Sequence, residues 1–418
     1  MKKKTLIIVI SIIVTISIIT GGIVSYVALK TNDDSNNNIQ DAELELSYPV
    51  VDTGVVTFYS NDEVISEPSQ GDAFYGQDAT YISNTPSYTD NTDGTITDNV
   101  TELMWNQDMG SKMTYEDAVI EAEECTLAGY DDWRLPSIKE LYSLILFTGD
   151  GGGETAGTNR YIDTDYFIQP IGDTSIGERE IDAQTWSSTI YVGETMNNDK
   201  TVFGVNFIDG RIKGYPYYKQ GQENTAYFRF VRGNTEYGTN NFIDNGDGTI
   251  TDLATGLMWQ QGDSEQGMDW EDSLYYANNL ELAGYDDWQL PNAKELQSIV
   301  DYTRSPSTTN SAAIDPLFYV STITDMDGET QYPYYWTGTT HLTGKGLNAY
   351  TSAAYIAFGY AQGIMNGELM DVHGAGAQRS DPKYGNIEDY PASFGPQGDI
   401  QMVYNYVRCV RSVTVFAL

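Results

Sequence analysis

Histidine and cysteine are scarce in this sequence, which has two Cys and two His among 418 residues. His341 and His373 cannot form a three-histidine zinc site by themselves, and neither has a cysteine nearby in the sequence. Cys125 and Cys409 are either two small buried hydrophobic side chains or the two halves of one disulfide. No glycine-rich phosphate loop follows a strand. These absences indicate a protein that is not an enzyme.

Basic residues are also few, because 22 Lys and Arg stand against 60 Asp and Glu, giving a formal net charge of −38 at pH 7. Nucleic acid is excluded as a partner, since its binding depends on Lys and Arg at the phosphates. The same surface repels anionic lipid and sulfated polysaccharide, whereas it suits cations and neutral ligands. The 32 Tyr, 13 Phe and 7 Trp argue against disorder, because disordered segments are poor in aromatic residues.

One long uncharged hydrophobic run occupies residues 5–29, and three lysines precede it. A helix of that length extends roughly 37 Å, enough to cross a hydrocarbon core of about 30 Å. The lysines favour a cytoplasmic position for the N-terminus. We therefore predict a single-pass membrane anchor over residues 1–30, an acidic polar linker over 31–47, and a folded part on the extracellular side. A cleaved signal peptide is the alternative.

The remainder of the chain contains a duplication. DNTDGTITDNVTELMW begins at Asp90 and returns at Asp244 as DNGDGTITDLATGLMW. AGYDDWRLPSIKEL or AGYDDWQLPNAKEL follows, then TWSST or YWTGT, and finally FRFVRG or YVRCVRS. The order is the same in both halves, which indicates a duplicated domain. We predict one domain over residues 48–233, with an N-terminal lead-in, and a second over 234–418.

Capping patterns predict where the helices of each copy begin. Ser, Thr, Asp or Asn at the N-cap accepts a hydrogen bond from the backbone of the first helical turn, and Glu three residues later completes a capping box. The rest of each copy consists of short strand-like runs broken by Gly, Asp and Asn, so the sequence predicts an α+β fold. The predicted N-caps are Thr114, Ser137, Asp269 and Asn292.

The repeated aspartates do not fit a calcium-binding EF-hand. That loop needs acids at positions 1, 3 and 5 with Gly at position 6, whereas Gly94 falls at position 5 when counted from Asp90. A tight turn at NTDG or NGDG before the strand TIT fits better. We therefore expect these aspartates to bond the backbone of their own turn.

DGTITD…LMW, YDDWRLPSIKEL, WSS and VRCVR together resemble the C-terminal domain of bacterial collagen-like adhesins, the Lcl C-terminal domain family. The resemblance covers nearly everything after residue 48. That family is held to be similar to the C-type-lectin-like fold of formylglycine-generating enzymes. The resemblance thus implies two tandem C-type-lectin-like domains after the membrane helix. It also implies surface exposure with glycan or matrix binding.

The copies differ by a long insertion in the second, over residues 368–405. Long loops on a rigid scaffold often bind ligands, although a surface decoration or a packing loop between the copies is the alternative. We predict a ligand site here, with two carboxylates that can hold calcium and with two aromatic residues forming one wall. The predicted site residues are Asp371, His373, Arg379, Asp381, Tyr335 and Trp336, and the predicted metal ligands are Asp371 and Asp381.

The function predicted from these features is binding of carbohydrate or surface matrix by a membrane-anchored extracellular protein. Aromatic residues supply flat apolar faces for sugar rings, and Asp, Asn and Gln can bond hydroxyls. Two alternatives stay open, namely an enzyme of the formylglycine-generating type and a structural subunit of a surface layer or filament. The enzyme would need two cysteines in one site, and neither copy has them. Association into a homo-oligomer is compatible with every alternative.

Overall fold

Short strands dominate both copies, and the few helices are short. The computed structural model describes residues 42–43, 46–219, 221–343, 349–413 and 416–417. The helices are α1 (Tyr115–Glu124), α2 (Ile138–Ser143), α3 (Trp270–Asn278), α4 (Ala293–Ser298) and α5 (Pro306–Thr309), with 3-10 turns at Asp78–Thr80, Leu127–Gly129, Thr174–Ile176 and Ile387–Asp389.

The strands are β1 (Ala42–Glu43), β2 (Phe58–Tyr59), β3 (Val64–Ile65), β4 (Tyr88–Asp90), β5 (Thr95–Asp98), β6 (Leu103–Asn106), β7 (Thr185–Ile190), β8 (Thr201–Asn206), β9 (Arg211–Pro216), β10 (Tyr218–Lys219), β11 (Gln222–Glu223), β12 (Tyr227–Phe228), β13 (Val231–Gly233), β14 (Phe242–Asp244), β15 (Thr249–Asp252), β16 (Leu257–Gln260), β17 (Ile323–Thr324), β18 (Thr330–Gln331), β19 (Tyr334–Thr340), β20 (Ser352–Ala357), β21 (Gln362–Met365), β22 (Glu368–Asp371), β23 (Gln378–Pro382), β24 (Val410–Ser412) and β25 (Phe416–Ala417). Copy one here means residues 88–233, copy two means residues 242–413, and the lead-in means residues 46–87.

Leu46–Thr414 form one unit that contains both copies, whereas the antiparallel pair of β1 and β25 belongs to a second unit. The predicted membrane anchor at residues 1–30 and most of the predicted linker lie outside the described residues. In the described part of the chain, no helix is long and apolar enough to cross a membrane.

The DGTITD motif forms the same hairpin turn in both copies. Asp93 Oδ1 accepts hydrogen bonds from the backbone nitrogen and the hydroxyl of Thr95, at 3.1 and 2.6 Å. Asp247 accepts the same two bonds from Thr249, also at 3.1 and 2.6 Å. The prediction that these aspartates bond their own turn is therefore confirmed. The motif is repeated because each copy uses it to start a four-stranded antiparallel sheet.

All four predicted N-caps are confirmed. The side chains of Thr114 and Asp269 accept a hydrogen bond from the backbone nitrogen three residues later. Ser137 and Asn292 form complete capping boxes, each with the glutamate of its KEL sequence. These local bonds satisfy nitrogens at the start of each helix that have no partner within the helix.

One seven-stranded sheet connects the two copies, in the order β12-β7-β8-β9-β23-β20-β19. β9 of copy one and β23 of copy two meet antiparallel, with Ile212 opposite Gln378. The two outer edges of this sheet are also alike. At the copy-one edge β12 pairs in parallel with β7, and at the copy-two edge Tyr406 forms a parallel bridge to Tyr335 of β19. The copies are therefore related by an approximate two-fold axis at the β9–β23 junction.

Helices α2 and α4 contact each other across this axis through one repeated lysine. Lys139 Nζ donates to the carbonyl of Ser298 at 2.6 Å, and Lys294 Nζ donates to the carbonyl of Ser143 at 2.8 Å. Each ammonium thus lies at the C-terminal end of the partner helix, where carbonyls lack helical partners and positive charge is favoured. The lysine of the KEL sequence joins the copies in both directions.

Among the described residues, the hydrophobic interior has one central core shared by both copies, a distal core in each, and a small further cluster around Ile208 of copy one. Leu141 of copy one and Leu296 of copy two belong to the same central core. Trp186 is buried in the distal core of copy one, and Trp336 is buried in that of copy two. The duplication therefore produces one body with a continuous interior.

The lead-in contacts both copies, although the predicted boundary at residue 233 assigns it to the first domain. The carbonyl of Thr53 accepts a hydrogen bond from Phe147 of copy one at 2.9 Å. Asp78 accepts one from the Thr339 hydroxyl of copy two at 2.6 Å. The lead-in holds the two copies together, and its unrepeated sequence gives no indication of this role.

The predicted insertion at residues 368–405 has different bounds in the structure. β23 pairs with β20 as β9 pairs with β8, so β23 is a core strand of copy two and not part of an insertion. The additional residues form two segments, residues 358–377 with the β21–β22 hairpin and residues 383–405, here called the cover loop. VNFIDGRIKG of copy one resembles IAFGYAQGIMNG of copy two, but only VNF and IAF are equivalent in the sheet, because β9 corresponds to β23 and not to β21.

Candidate functional site: a cavity between the copies

A cavity of about 530 Å³ with several charged lining residues lies beside the β9–β23 junction. Strands β9 and β23 contribute to one side, and residues 390–401 of the cover loop line another. Four of the 22 basic residues of the chain line this one cavity. The charged lining residues are Arg179, Arg211, Lys213, Arg379, Glu154, Asp209, Asp381 and Asp399.

Asp399 of the cover loop connects two of the residues predicted from the sequence. Its Oδ1 lies 2.7 Å from His373 Nε2, and its Oδ2 accepts a hydrogen bond from Arg379 Nη2. Burial opposes ionisation of this carboxyl, but Arg379 and His373 outweigh burial and lower the pKa of Asp399. Asp399 is therefore an ionised counter-charge that fixes the cover loop to β23.

Lys213 is buried without a hydrogen-bond partner among the described residues. Its side chain is 8% exposed, and the Tyr215 ring lies 5.6 Å from Nζ. Burial lowers the pKa of Lys213 to about 8, although Asp209 opposes this shift. The neighbouring Arg211, by contrast, lies 3.3 Å from Asp209 and donates to Ser380 Oγ at 3.2 Å. The Lys213 ammonium therefore lies at the cavity with its N–H donors unused among the described residues.

Lys213 and Arg379 occupy equivalent positions in the two copies. Lys213 on β9 pairs with Gly204, which pairs with Trp186 of TWSST. In the same way, Arg379 on β23 pairs with Tyr355, which pairs with Trp336 of YWTGT. Continuing the antiparallel register of β9 and β23 places Arg211 across from Arg379. The approximate two-fold axis therefore brings three cationic side chains together at the cavity.

Only two of the six predicted site residues line the cavity. Arg379 and Asp381 line the cavity, whereas Asp371 and His373 lie in the neighbouring segment 358–377 and are not among its lining residues. His373 is 2% exposed, and burial lowers its pKa to about 4, so the ring is neutral at neutral pH. It positions Asp399 and has no free face toward the cavity.

The prediction that Tyr335 and Trp336 form a wall of the site is wrong. They are 1% and 0% exposed, because they lie on opposite faces of a strand that is covered on both sides. The Tyr335 hydroxyl donates to Asp263 at 2.5 Å, and Trp336 Nε1 donates to the carbonyl of Met268 at 2.9 Å. Both rings therefore belong to the interior.

Asp371 joins the two copies. Its carboxylate accepts hydrogen bonds from the Tyr191 hydroxyl and the Gly374 nitrogen, both at 2.8 Å, and its carbonyl accepts one from Met196 at 2.7 Å. Burial raises the pKa of Asp371 to about 7 in spite of these bonds. Because Tyr191 and Met196 belong to copy one, the contacts favour the packing interpretation of this residue.

Calcium binding by Asp371 and Asp381 stays a prediction. Asp381 accepts a hydrogen bond from Asn405 Nδ2 at 3.0 Å, and burial raises the pKa of Asp381 to about 8. At neutral pH this carboxyl is therefore mostly protonated, a state that does not favour a cation. Within the described ranges, no group of three or more His, Cys, Asp or Glu side chains could hold a metal ion.

Both cysteines are free thiols and contribute to packing. Cys409 is buried in the distal core of copy two, and the half-buried Cys125 packs against that of copy one. The interpretation as small buried hydrophobic side chains is confirmed for Cys409, whereas Cys125 is only half-buried, and the two do not form a disulfide. Burial raises the pKa of the Cys409 thiol above its usual range, which makes it a poor nucleophile.

Sequence reasoning missed Asp209, Arg211, Lys213 and Asp399. The first three lie in copy one, and the search for a site considered only the insertion of copy two. The sequence RIKG nevertheless carried a signal, because two cations on one strand are unusual in so acidic a chain. Asp399 falls inside the predicted insertion but is one of several acids there, and only its contacts distinguish it.

Replacing Asp381 by asparagine is expected to stabilise the protein increasingly as the pH rises from 5 to 9. The folded-state pKa of about 8 exceeds the ordinary aspartate value of about 4, so between these values the folded state retains a proton that the unfolded state has lost. Ionisation of Asp381 therefore costs stability as the pH rises, by at most about 1.4 kcal/mol per pH unit. Denaturant unfolding of both proteins at each pH measures the difference, and a constant difference would contradict the argument.

A family model for the Lcl C-terminal domain matches this sequence twice, over residues 94–232 and 248–371. The two matches confirm the duplication, and the second ends at Asp371, before β23. No curated protein and no solved structure matched the chain. The similarity to the C-type-lectin-like fold accordingly stays a prediction.

Proposed function

The chain belongs to the Lcl C-terminal domain family, and we propose that it is a non-enzymatic, membrane-anchored binding protein of the extracellular surface. In this proposal it holds a carbohydrate in the cavity between its two copies. The duplication then has a functional reason, because β9, β23 and the cover loop all contribute to the cavity.

The observation that carries the proposal is a set of buried polar atoms at the cavity without partners. Among the residues that the structure describes, Asp209 Oδ1 and Gln401 Oε1 are acceptors without a donor, and Arg379 Nε and Nη1 are donors without an acceptor. Buried polar groups are normally hydrogen-bonded, and each exception needs an explanation. A sugar hydroxyl both donates and accepts, so a sugar suits a lining that offers donors and acceptors together.

Two aromatic rings of the cover loop support the same ligand class. Tyr390 and Phe394 line the cavity, and Phe394 is 57% exposed. Such rings offer apolar faces on which sugar rings can lie. The cavity volume of about 530 Å³ falls within the ~300–1,000 Å³ typical of small-ligand sites. Neither the enzyme alternative nor the assembly alternative has an observation of this kind in its favour.

Tyr390 and Tyr404 provide a matched pair of variants for a test. Their hydroxyls donate to neighbouring cover-loop carbonyls, Tyr384 at 2.7 Å and Gly385 at 3.2 Å, but only Tyr390 lines the cavity. On a glycan array with the full-length chain, we expect binding with or without calcium. Tyr390→Ala should weaken binding about tenfold, the loss of roughly 1.4 kcal/mol of ring contact. Tyr404→Ala should leave it unchanged.

The two variants also separate a binding effect from a general effect on the loop. Equal losses in both variants would mean that the tyrosines only shape the cover loop. Absence of any glycan signal for the unmodified chain would overturn the proposal, and concentration-dependent polymerisation in the same samples would favour the assembly alternative.

A further inference from the structure

We propose that the ligand of the inter-copy cavity carries a single carboxylate, as an acidic sugar does, and that Lys213 and Arg379 bind it. This inference rests on the proposed function and specifies its ligand class. It starts from the two cations that the sheet register places in equivalent positions of the two copies.

The charges around Lys213 leave one positive charge without an ionised partner. Arg179 pairs with Asp182 at 2.6 Å, and Glu154 is exposed to solvent. That leaves three cations at the β9–β23 junction, with two acids whose pKa values are lowered. Burial keeps Asp381 mostly protonated and the two nearby histidines neutral at pH 7. The three cations are Arg211, Lys213 and Arg379, and the two acids are Asp209 and Asp399.

Lys213 and Arg379 both have N–H donors at the cavity that make no hydrogen bond to described residues. Lys213 Nζ has no hydrogen bond within the described ranges, and Arg379 uses Nη2 for Asp399 while Nε and Nη1 have no partner. Like charges across adjacent strands repel, and Arg211 faces Arg379 in this register. A carboxylate would accept these donors in charge-assisted hydrogen bonds and balance the extra positive charge.

A single carboxylate fits better than a polyanion. The chain as a whole has a formal net charge of −38, so a ligand with many negative charges would be repelled on approach. Lys213, Arg179 and Gln397 also line a second cavity of about 750 Å³. Further neutral sugar units could therefore extend from the carboxylate into that space.

D-glucuronate and D-glucuronamide test the inference, because they have nearly the same shape and differ in charge. Calorimetric titration of the full-length chain should give at least about tenfold tighter binding of glucuronate, as expected for charge-assisted bonds. Lys213→Met should abolish that preference, because it removes the ammonium that would bind the carboxylate, and the melting temperature is measured to show that the variant is folded. Lys200→Met is the control at an exposed lysine that lines neither cavity, and it should retain the preference.

The outcomes separate the inference from the proposed function. Equal binding of both sugars would preserve carbohydrate binding and overturn the carboxylate assignment. Failure of both sugars to bind would overturn both. Acetate in a parallel titration distinguishes the source of the carboxylate, and acetate binding as tight as glucuronate would overturn the assignment to a sugar. A preference that persists in Lys213→Met would also overturn it.

Discussion

Replacing Arg408 by methionine is expected to lower the free energy of unfolding by about 3–5 kcal/mol, because several buried carbonyls lose their donor. The Arg408 side chain is 1% exposed. Its guanidinium donates to the carbonyl of Gln261 at 2.6 Å and to that of Tyr319 at 2.8 Å, and it lies 4.9 Å from the Phe318 ring centroid. Methionine fills much of the volume but donates nothing. Urea unfolding of the full-length chain measures the loss.

The duplication provides an internal comparison for this result. Arg229 is the equivalent residue of copy one, donates to the carbonyl of Asn106 at 2.6 Å and should show a similar loss as Arg229→Met. Arg411→Met is the control for an ion pair that reaches the surface, because the Arg411 side chain is 11% exposed but its partner Asp287 is 58% exposed, and such pairs contribute about 0–1 kcal/mol. If Arg411→Met destabilised as much as Arg408→Met, the argument from buried carbonyls would fail.

Replacing Asp399 by alanine is expected to destabilise the protein by about 3–5 kcal/mol, the usual cost of leaving a buried charge without its partner. The carboxylate is the counter-charge of Arg379 and also contacts His373 at 2.7 Å. Its loss should release the cover loop from β23. We therefore expect carbohydrate affinity to fall together with stability, as measured by titration and denaturant unfolding of the same variant.

A double-mutant cycle with Arg379→Met tests whether the pair is the cause. Removing both members of the pair leaves neither ion unpaired, so Asp399→Ala combined with Arg379→Met should be more stable than Asp399→Ala alone. Additive effects of the two single changes would mean that Asp399 acts through its backbone turn instead. That turn is closed by hydrogen bonds between Phe394 and Asp399 at 2.7 and 2.9 Å.

The sequence predicted those features that depend on residues close together in the chain. Ser137 and Asn292 cap α2 and α4 because a capping box needs only four consecutive residues. Asp93 and Asp247 fix their hairpin turns through bonds to a residue two positions away. The family and its duplication were also readable, because the motifs recur in the same order.

The candidate site was predicted only in part. Arg379 and Asp381 do line the cavity, but they lie on the core strand β23 and not in an insertion as predicted. Tyr335 and Trp336 do not line the cavity, because both are buried. Alternation along a strand predicts that they point to opposite faces, but it does not predict that both faces are covered. Asp371 is of a residue type that often binds ligands, but its carboxylate already accepts a hydrogen bond from the Tyr191 hydroxyl of the other copy.

By itself, the sequence determined the repeated hairpins, the helix starts and the family, because each depends on bonds or motifs within a few residues. Only the tertiary structure decided that the two copies share one sheet and one core, and that Lys213 meets Arg379 beneath the cover loop. The physical reason is distance along the chain. The antiparallel contact of Ile212 with Gln378 sets the positions of Arg211, Lys213 and Arg379 relative to one another, and no local pattern in either copy specifies that contact.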